Sequence, residues 1–189
     1  ATVSGTTWSY TLTAADITAM GQGAETLSAT QTDAAGNASA AGTRAITVDT
    51  SAVPMVSSVA ITSATGIQNN TLNAGDVVSV TVTMTAATTV TGTPQLALNI
   101  GGTTVQANYA SGSGSTSLVF TYTIAAGQND ANGISIGANA LTLNGGTLKN
   151  ASGSDATFTH ALVTDNASYL VDTTVPTAPV INTVASDDI

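Results

Sequence analysis

One stretch of this sequence is written twice. It runs Ile46-Thr47-Val48-Asp49-Thr50-Ser51-Ala52-Val53-Pro54 and then Tyr169-Leu170-Val171-Asp172-Thr173-Thr174-Val175-Pro176. Each copy is a β-branched run, an Asp, small hydroxyl residues and a proline. Val, Ile and Thr suit a pleated surface, so the run predicts a strand. Proline fixes φ and removes a backbone donor, so the ladder stops there. Each copy is predicted to be the last strand of one domain, passing into a short stiff linker. Asp49 and Asp172 lie 123 positions apart (172 minus 49), the size of one β-sandwich domain. Recurrence at that interval predicts an array of similar units.

The sequence around the two copies has the period of strands. Asp76-Val77-Val78-Ser79-Val80-Thr81-Val82-Thr83-Met84 alternates apolar and polar residues, the pattern of a half-buried strand. Residues 95–100 and 104–109 flank Gly101-Gly102, a hairpin signal. Residues 56–61, 118–124, 134–136 and 141–143, with a closing pair between 158 and 171, add further short strands. Turn signals fall roughly every ten residues, as in an immunoglobulin-like sandwich.

The first fifty residues are sparser. Trp8-Ser9-Tyr10-Thr11-Leu12-Thr13 alternates, so Trp8 is predicted to pin a core. Ala14-Ala15-Asp16-Ile17 starts a loop or short helical turn, Asp33-Ala34-Ala35-Gly36-Asn37 is a tight turn, and 25–32 and 44–49 are strands. Three strands are too few to cover a core. The fold class is therefore all-β: immunoglobulin-like antiparallel β-sandwich repeats in a linear array. Residues 1–53 read as the C-terminal part of one repeat and 54–176 as a complete repeat. Residues 177–189 read as the start of the next, with Val180-Ile181-Asn182-Thr183-Val184 as its first strand. The sequence reads as a window out of phase with its domains.

Charge narrows the function. Only 7% of the 189 residues are charged, against roughly 25% in an average soluble domain. The net charge is −9, and Arg44 and Lys149 are the only cations of the lysine and arginine type. Such a surface repels phosphate backbones and anionic lipid, which argues against nucleic acid and membrane surfaces as partners. No run is long and apolar enough to insert into a membrane, and no signal peptide opens the sequence. There is no cysteine, hence no disulfide, thiolate metal site or Cys nucleophile. His160 is the only histidine and reads as a strand-face residue. No nucleophile, base and orienter occur together, so the chain does not read as an enzyme.

Several stretches resemble the tandem bacterial immunoglobulin-like repeats of giant type I-secreted (RTX-type) surface adhesins. Trp8-Ser9-Tyr10-Thr11-Leu12, Asp33-Ala34-Ala35-Gly36-Asn37 and Val48-Asp49-Thr50 are similar to the signature of one repeat class. Ala185-Ser186-Asp187-Asp188-Ile189 is similar to the opening of that class. Thr91-Gly92-Thr93-Pro94-Gln95-Leu96-Ala97-Leu98-Asn99-Ile100-Gly101 and Asn129-Asp130-Ala131-Asn132-Gly133-Ile134 resemble a second class that alternates with it. The resemblance implies extracellular extender repeats at the bacterial cell surface, whose partners are neighbouring repeats of the same chain and whose junctions are stiffened by Ca²⁺. One departure stands out. Where that class has Asp-x-Ala-Gly-Asn, the complete domain has Asn150-Ala151-Ser152-Gly153-Ser154-Asp155.

The acids fit that expectation in kind, being ten Asp and one Glu. Asp favours turns and hard-cation sites. The candidate calcium ligands are Asp16, Asp33, Asn37, Asp49, Asp76, Asp130, Asp155 and Asp172. Alternate loops of an antiparallel sandwich lie at opposite ends. Asp76, Asp130 and Asp172 are therefore expected at the C-terminal end of the complete domain and Asp155 at its N-terminal end. Asp49 is expected to approach Asp155 across the junction. Ca²⁺ takes six to eight oxygens, which loops from two domains can supply. The plain alternative is that these residues only form turns. Three other uses carry less. An isopeptide bond at Lys149 is disfavoured by its place in a polar stretch, a sugar face by the scarcity of aromatics, and an ice-binding face by the lack of a regular Thr-x-Thr array. The competing functional reading is a subunit of a self-assembling extracellular filament or surface layer, in which other copies of the chain pair by strand complementation.

Overall fold

The structure is a computed structural model that describes residues 2–4 and 7–182. The chain divides between Ala52 and Val53 into two compact units. Both are built mainly from antiparallel strand pairs, and the molecule is an all-β sandwich protein.

The first unit has two hairpin-like pairs and one helix. Strand β1 (Thr2–Ser4) pairs with β2 (Thr7–Ser9). Helix α1 spans Ala14–Met20, a short capped helix where the sequence suggested a loop or a short helical turn. Thr13 caps it: its side chain accepts from Asp16 N–H while the Asp16 carboxylate accepts from Thr13 N–H, the reciprocal pattern of a capping box. Strands β3 (Gly23–Ala29) and β4 (Gly42–Val48) pair along their whole length, from Gly23 opposite Val48 to Ala29 opposite Gly42. Val48 is the one buried hydrophobic residue among the described residues of this unit. Trp8 does not pin a core as its alternating pattern suggested. Its strand ends at Ser9, and the residue is 47% exposed, with no second sheet over it among the described residues.

The second unit has a complete core. Its strands are β5 (Val56–Thr65), β6 (Thr71–Leu72), β7 (Val77–Thr91), β8 (Gln95–Ile100), β9 (Thr103–Ser111), β10 (Ser115–Thr123), β11 (Asn129–Asp130), β12 (Leu141–Thr142), β13 (Thr147–Lys149) and β14 (Leu170–Asp172). The larger sheet runs β12-β8-β9-β10-β7, and the far side of β7 is shared. There β5 covers the first half of β7 and β13 covers Thr89–Thr91. The smaller sheet places β14 between β11, antiparallel, and β6, parallel.

The alternation read from the sequence sets which face is inside. Val78, Val80, Val82 and Met84 are buried on β7, while Ser79, Thr81 and Thr83 face outward. Leu96, Leu98 and Ile100 do the same on β8. Phe120 fills the centre and meets Tyr109 edge to face, with centroids 5.8 Å apart. Each such buried side chain contributes roughly 1.5–3 kcal/mol of transfer free energy. The Gly101-Gly102 hairpin forms as predicted. Both residues have positive φ, 56° and 84°, the demand of a type I′ turn.

Three further expectations change. The closing pair between 158 and 171 is not a hairpin. Thr157 bridges Met55 in parallel, Val163 bridges Ile136, and only Leu170–Asp172 forms a strand. The polar stretch 144–155 contains β13, whose Leu148 is buried. Residues 177–182 carry no regular structure, and the rest of the strand expected from Val180 lies outside the described residues.

Candidate functional site

The duplicated stretch is the feature that both units build in the same way. After the last ladder position, the chain must satisfy backbone donors that no strand accepts. In the first unit the N–H of Thr50 donates to Gln22 Oε1 at 2.6 Å and the N–H of Ser51 donates to Asp49 Oδ1 at 2.9 Å. In the second unit the N–H of Thr173 donates to Asn129 Oδ1 at 2.8 Å and the N–H of Thr174 donates to Asp172 Oδ1 at 2.9 Å. The hydroxyls follow: Thr50 donates to the same Gln22 oxygen and Thr174 to the same Asn129 oxygen. The accepting amide residue sits beside the exit because it lies at the start of the partner strand. Gln22 immediately precedes Gly23, which pairs with Val48, and Asn129 pairs with Asp172. Asp49 also accepts from Gln22 Nε2 at 3.2 Å. Both aspartates are exposed.

A second motif is also shared. Asp33 Oδ1 accepts from the N–H groups of Ala35 and Asn37, both at 2.9 Å, and Asn37 Nδ2 donates to Asp33 Oδ2. Asn150 Oδ1 accepts from Ser152 and Ser154 N–H at 3.1 and 2.8 Å. The backbone repeats too, with Gly36 N–H donating to Asp33 and Gly153 N–H to Asn150. Asn in place of Asp keeps the two backbone N–H bonds of this turn, because both go to a single side-chain oxygen. The charge has moved to Asp155, which meets Lys149 Nζ at 2.6 Å. That pair is exposed, so it contributes little to stability. Hydrogen bonds hold the Asp33 carboxyl below its ordinary range, those from Asn37 foremost.

Asp130 has a different task. It is buried, and its Oδ2 accepts from Gly101 N–H at 2.8 Å while Oδ1 accepts from Gly133 at 2.9 Å and Asn132 at 3.3 Å. It ties the β8–β9 hairpin to the loop after β11. A Cβ on Gly101 would lie 2.0 Å from the Asn129 carbonyl oxygen, so glycine is needed for this close approach. Asp76 accepts from Asn73 N–H at 2.8 Å and closes the turn before β7. Asp16 Oδ2 accepts from the Thr13 N–H and hydroxyl of the helix cap and from the Tyr10 hydroxyl at 2.7 Å. Its carboxyl is held below the ordinary range, first by the Thr13 N–H, and the Tyr10–Asp16 hydrogen bond raises the Tyr10 phenol.

Within the second unit the acids are distributed by end. Gly75 N–H donates to the Ile124 carbonyl, Gly127 N–H donates to Thr173, and Asn129 pairs with Asp172. The Asp76 turn, the Asp130 loop and the Asp172 exit thus share one end. The 150–155 turn stands at the other, near Pro54, whose carbonyl accepts from Thr157. Among the described residues, no three His, Asp or Glu side chains converge as a metal-holding group. Asp130 does not suit Ca²⁺, because both its oxygens already accept backbone N–H groups. Asp49 and Asp172 suit it better, being exposed carboxylates at chain exits.

The sequence reading missed Gln22 and Asn129. Each is an uncharged amide next to a glycine-containing turn, and nothing in its own residue type marks it. It also missed that His160 is a loop latch rather than a strand-face residue: Ala140 N–H donates to Nε2 at 2.9 Å and Nδ1 contacts the Ala161 carbonyl at 2.7 Å. Comparison with known proteins returns no family model, no curated protein and no solved structure that matches the chain.

Proposed function

We propose that this chain is a structural extender segment of a large bacterial cell-surface adhesin. In this reading its β-sandwich repeats hold a distant binding tip away from the cell, in adhesion and biofilm formation. Calcium stiffens the junctions between neighbouring repeats, and the chain is not an enzyme. The observation that supports the reading best is that two units of different sequence leave by the same hydrogen-bonded exit. Repeated exits are what a rod of beads needs, since each sets the direction of the next. The acidic, nearly lysine-free surface also suits an exposed extracellular rod, because it offers few sites for trypsin-like proteases.

Calcium titration tests the ionic part. At a free Ca²⁺ of 100 times Kd, one site adds about 2.7 kcal/mol, which for a domain of this size raises Tm by roughly 8–10 °C. The expected result is that rise together with a narrower distribution of radius of gyration by small-angle scattering, both reversed by EDTA. Unchanged Tm and unchanged scattering would remove calcium from the proposal.

A further inference from the structure

The dipeptide Asn-Gly occurs twice in this sequence, at Asn132-Gly133 and at Asn144-Gly145. Its chemistry is distinctive because glycine sets no Cβ between its own amide nitrogen and the side-chain carbonyl carbon of the preceding asparagine. The second unit holds the two copies in opposite ways. Gly133 is buried, and its N–H donates to Asp130 Oδ1 at 2.9 Å. A Cβ on Gly133 would lie 2.1 Å from the Asn166 carbonyl oxygen, so the backbone is closely packed there. Asn132 Nδ2 donates to Asp165 Oδ2 at 2.5 Å. Carboxylates thus hold both the backbone nitrogen of the glycine and the side-chain nitrogen of the asparagine.

Asn144 and Gly145 are both exposed. They are the central residues of a turn closed by the Gly146 N–H on the Leu143 carbonyl at 2.8 Å. Their φ angles are 46° and 78°, the positive values that a type I′ turn demands. A Cβ on Gly145 would meet nothing within 4 Å. Among the described residues, no protein group accepts from the Gly145 N–H. Asn144 Nδ2 donates to the Thr93 carbonyl at 3.2 Å, a surface bond that local fluctuation opens readily. The next residue is different. Gly146 is buried, and a Cβ on it would lie 2.2 Å from the Thr91 carbonyl oxygen. That seat brings the chain onto β7, where Thr147 pairs with Thr91 and buried Leu148 with Val90.

We propose that Asn144 is a self-modifying site, converted without an enzyme to aspartate and isoaspartate while Asn132 is spared. The Gly145 nitrogen gives up its proton and attacks Asn144 Cγ. The new N–C bond closes a succinimide ring, the Cγ–Nδ2 bond breaks, and the nitrogen leaves as ammonia with the proton lost from Gly145. Water then opens the ring. Addition at Cγ breaks the new bond and gives aspartate. Addition at the backbone carbonyl breaks the original peptide bond and gives isoaspartate, with Gly145 carried on the side-chain carbon. At Gly133 the first step would set an amide anion against the Asp130 carboxylate, and like charges in contact disfavour it. Either product at Asn144 adds a carboxylate to a chain of net charge −9. Isoaspartate also adds a methylene to the main chain of a two-residue turn, so Gly146 loses its seat on Thr91 and β13 loosens from β7. The change accumulates with the age of the molecule, and it is independent of the calcium reading.

Peptide mapping by mass spectrometry reads both positions in the folded chain kept at mildly alkaline pH, and electron-transfer fragmentation separates isoaspartate from aspartate. Asn144 should convert over days. Asn132 should lag by about tenfold or more, because attack there awaits a local opening that breaks a hydrogen bond to a carboxylate. In urea the two positions should convert at similar rates, since the dipeptide is the same. Asn144→Gly keeps a pair that suits the type I′ turn. It should abolish the conversion and leave the Tm of fresh protein close to that of the parent. Anion exchange isolates the converted chain, whose isoaspartyl form should melt below the parent and exchange its Leu148 amide faster. Folded Asn144 that persists while the urea-unfolded chain converts overturns the proposal. So does equal conversion at Asn132 and Asn144 in the folded chain. An isoaspartyl chain that melts with the parent overturns the loosening of β13.

Discussion

Replacing Asp130 by Ala should be the most damaging single polar substitution in the second unit. The carboxylate accepts from Gly101, Gly133 and Asn132. Hydrogen bonds to a charged acceptor contribute about 1.5–3 kcal/mol each. Gly101 and Asn132 are exposed, so water replaces part of what they lose. Gly133 is buried, and its orphaned donor costs about 1–3 kcal/mol by itself. The expected total is about 3–5 kcal/mol, out of the 5–15 kcal/mol typical of a domain. At roughly 3–4 °C per kcal/mol for a unit of this size, Tm falls by about 10–20 °C. Asp130→Asn should cost about half as much. Its oxygen still serves Gly133, while its amide sets a donor against the Gly101 donor. Calorimetry and urea unfolding read both values, and only the transition of the second unit should move. A loss under about 1 kcal/mol would refute the hydrogen-bond account. So would a loss seen in calcium and absent in EDTA, because that pattern belongs to a metal ligand.

Three more expectations are independent of that one. Gly101→Ala places a Cβ 2.0 Å from the Asn129 carbonyl oxygen at a φ of 56° and should destabilise by about 3 kcal/mol or more. Gly102→Ala meets nothing within 4 Å and should cost only about 1 kcal/mol; denaturant midpoints separate the two. Asp16 and Asp33 have folded carboxyls held below the ordinary value of 3.8. The stability they add is therefore present above about pH 4 and is lost as pH falls through their lowered values. Carbon-detected NMR of the side-chain carboxyls should place both midpoints under 3.8. Gln22→Ala and Asn129→Ala each remove the acceptor for one exit N–H. Amide exchange at Thr50 or Thr173 should then quicken by about fivefold, corresponding to about 1 kcal/mol, with the opposite unit unaffected.

How far the sequence carried depends on what holds each part. Alternation on β7 and β8 was legible because period-two patterning is a local property that burial enforces along one strand. The Gly101-Gly102 hairpin was legible for the same reason, since only a type I′ turn uses two such glycines between strands. The segment 156–163 was not. Its backbone bonds run to Pro54, Ile136 and Asn139, distant positions that no local pattern announces. His160 fell in that segment, and its role depends on Ala140 and Asn139 rather than on its neighbours. Trp8 misled because alternation marks a face that seeks cover, and says nothing of whether cover is present. Of the acids, the Asp33 turn and its Asn150 counterpart could be aligned by sequence. The burial of Asp130 could not, since it follows from the hairpin packing across it.

The exits carry one further consequence. A strand that ends must leave its next donors to water, and a donor left to water can swing. Here two successive donors past the ladder are taken within each unit, one by the amide oxygen beside the partner strand and one by the Asp itself. The proline that follows has no donor to satisfy. Gln22 and Asn129 differ by a methylene and still deliver an oxygen to the same N–H. What the two units share is therefore the contact rather than the residue. Such an exit is held by hydrogen bonds within its own unit, and none of them requires an ion. Under the calcium proposal, the ion would act on an exit already hydrogen-bonded. Chelation should therefore widen the scattering distribution of the parent only modestly. In a Gln22→Ala, Asn129→Ala double variant, by contrast, EDTA should produce a broad distribution close to that of freely jointed units. If the parent and the double variant broaden equally in EDTA, the exit hydrogen bonds do not direct the chain.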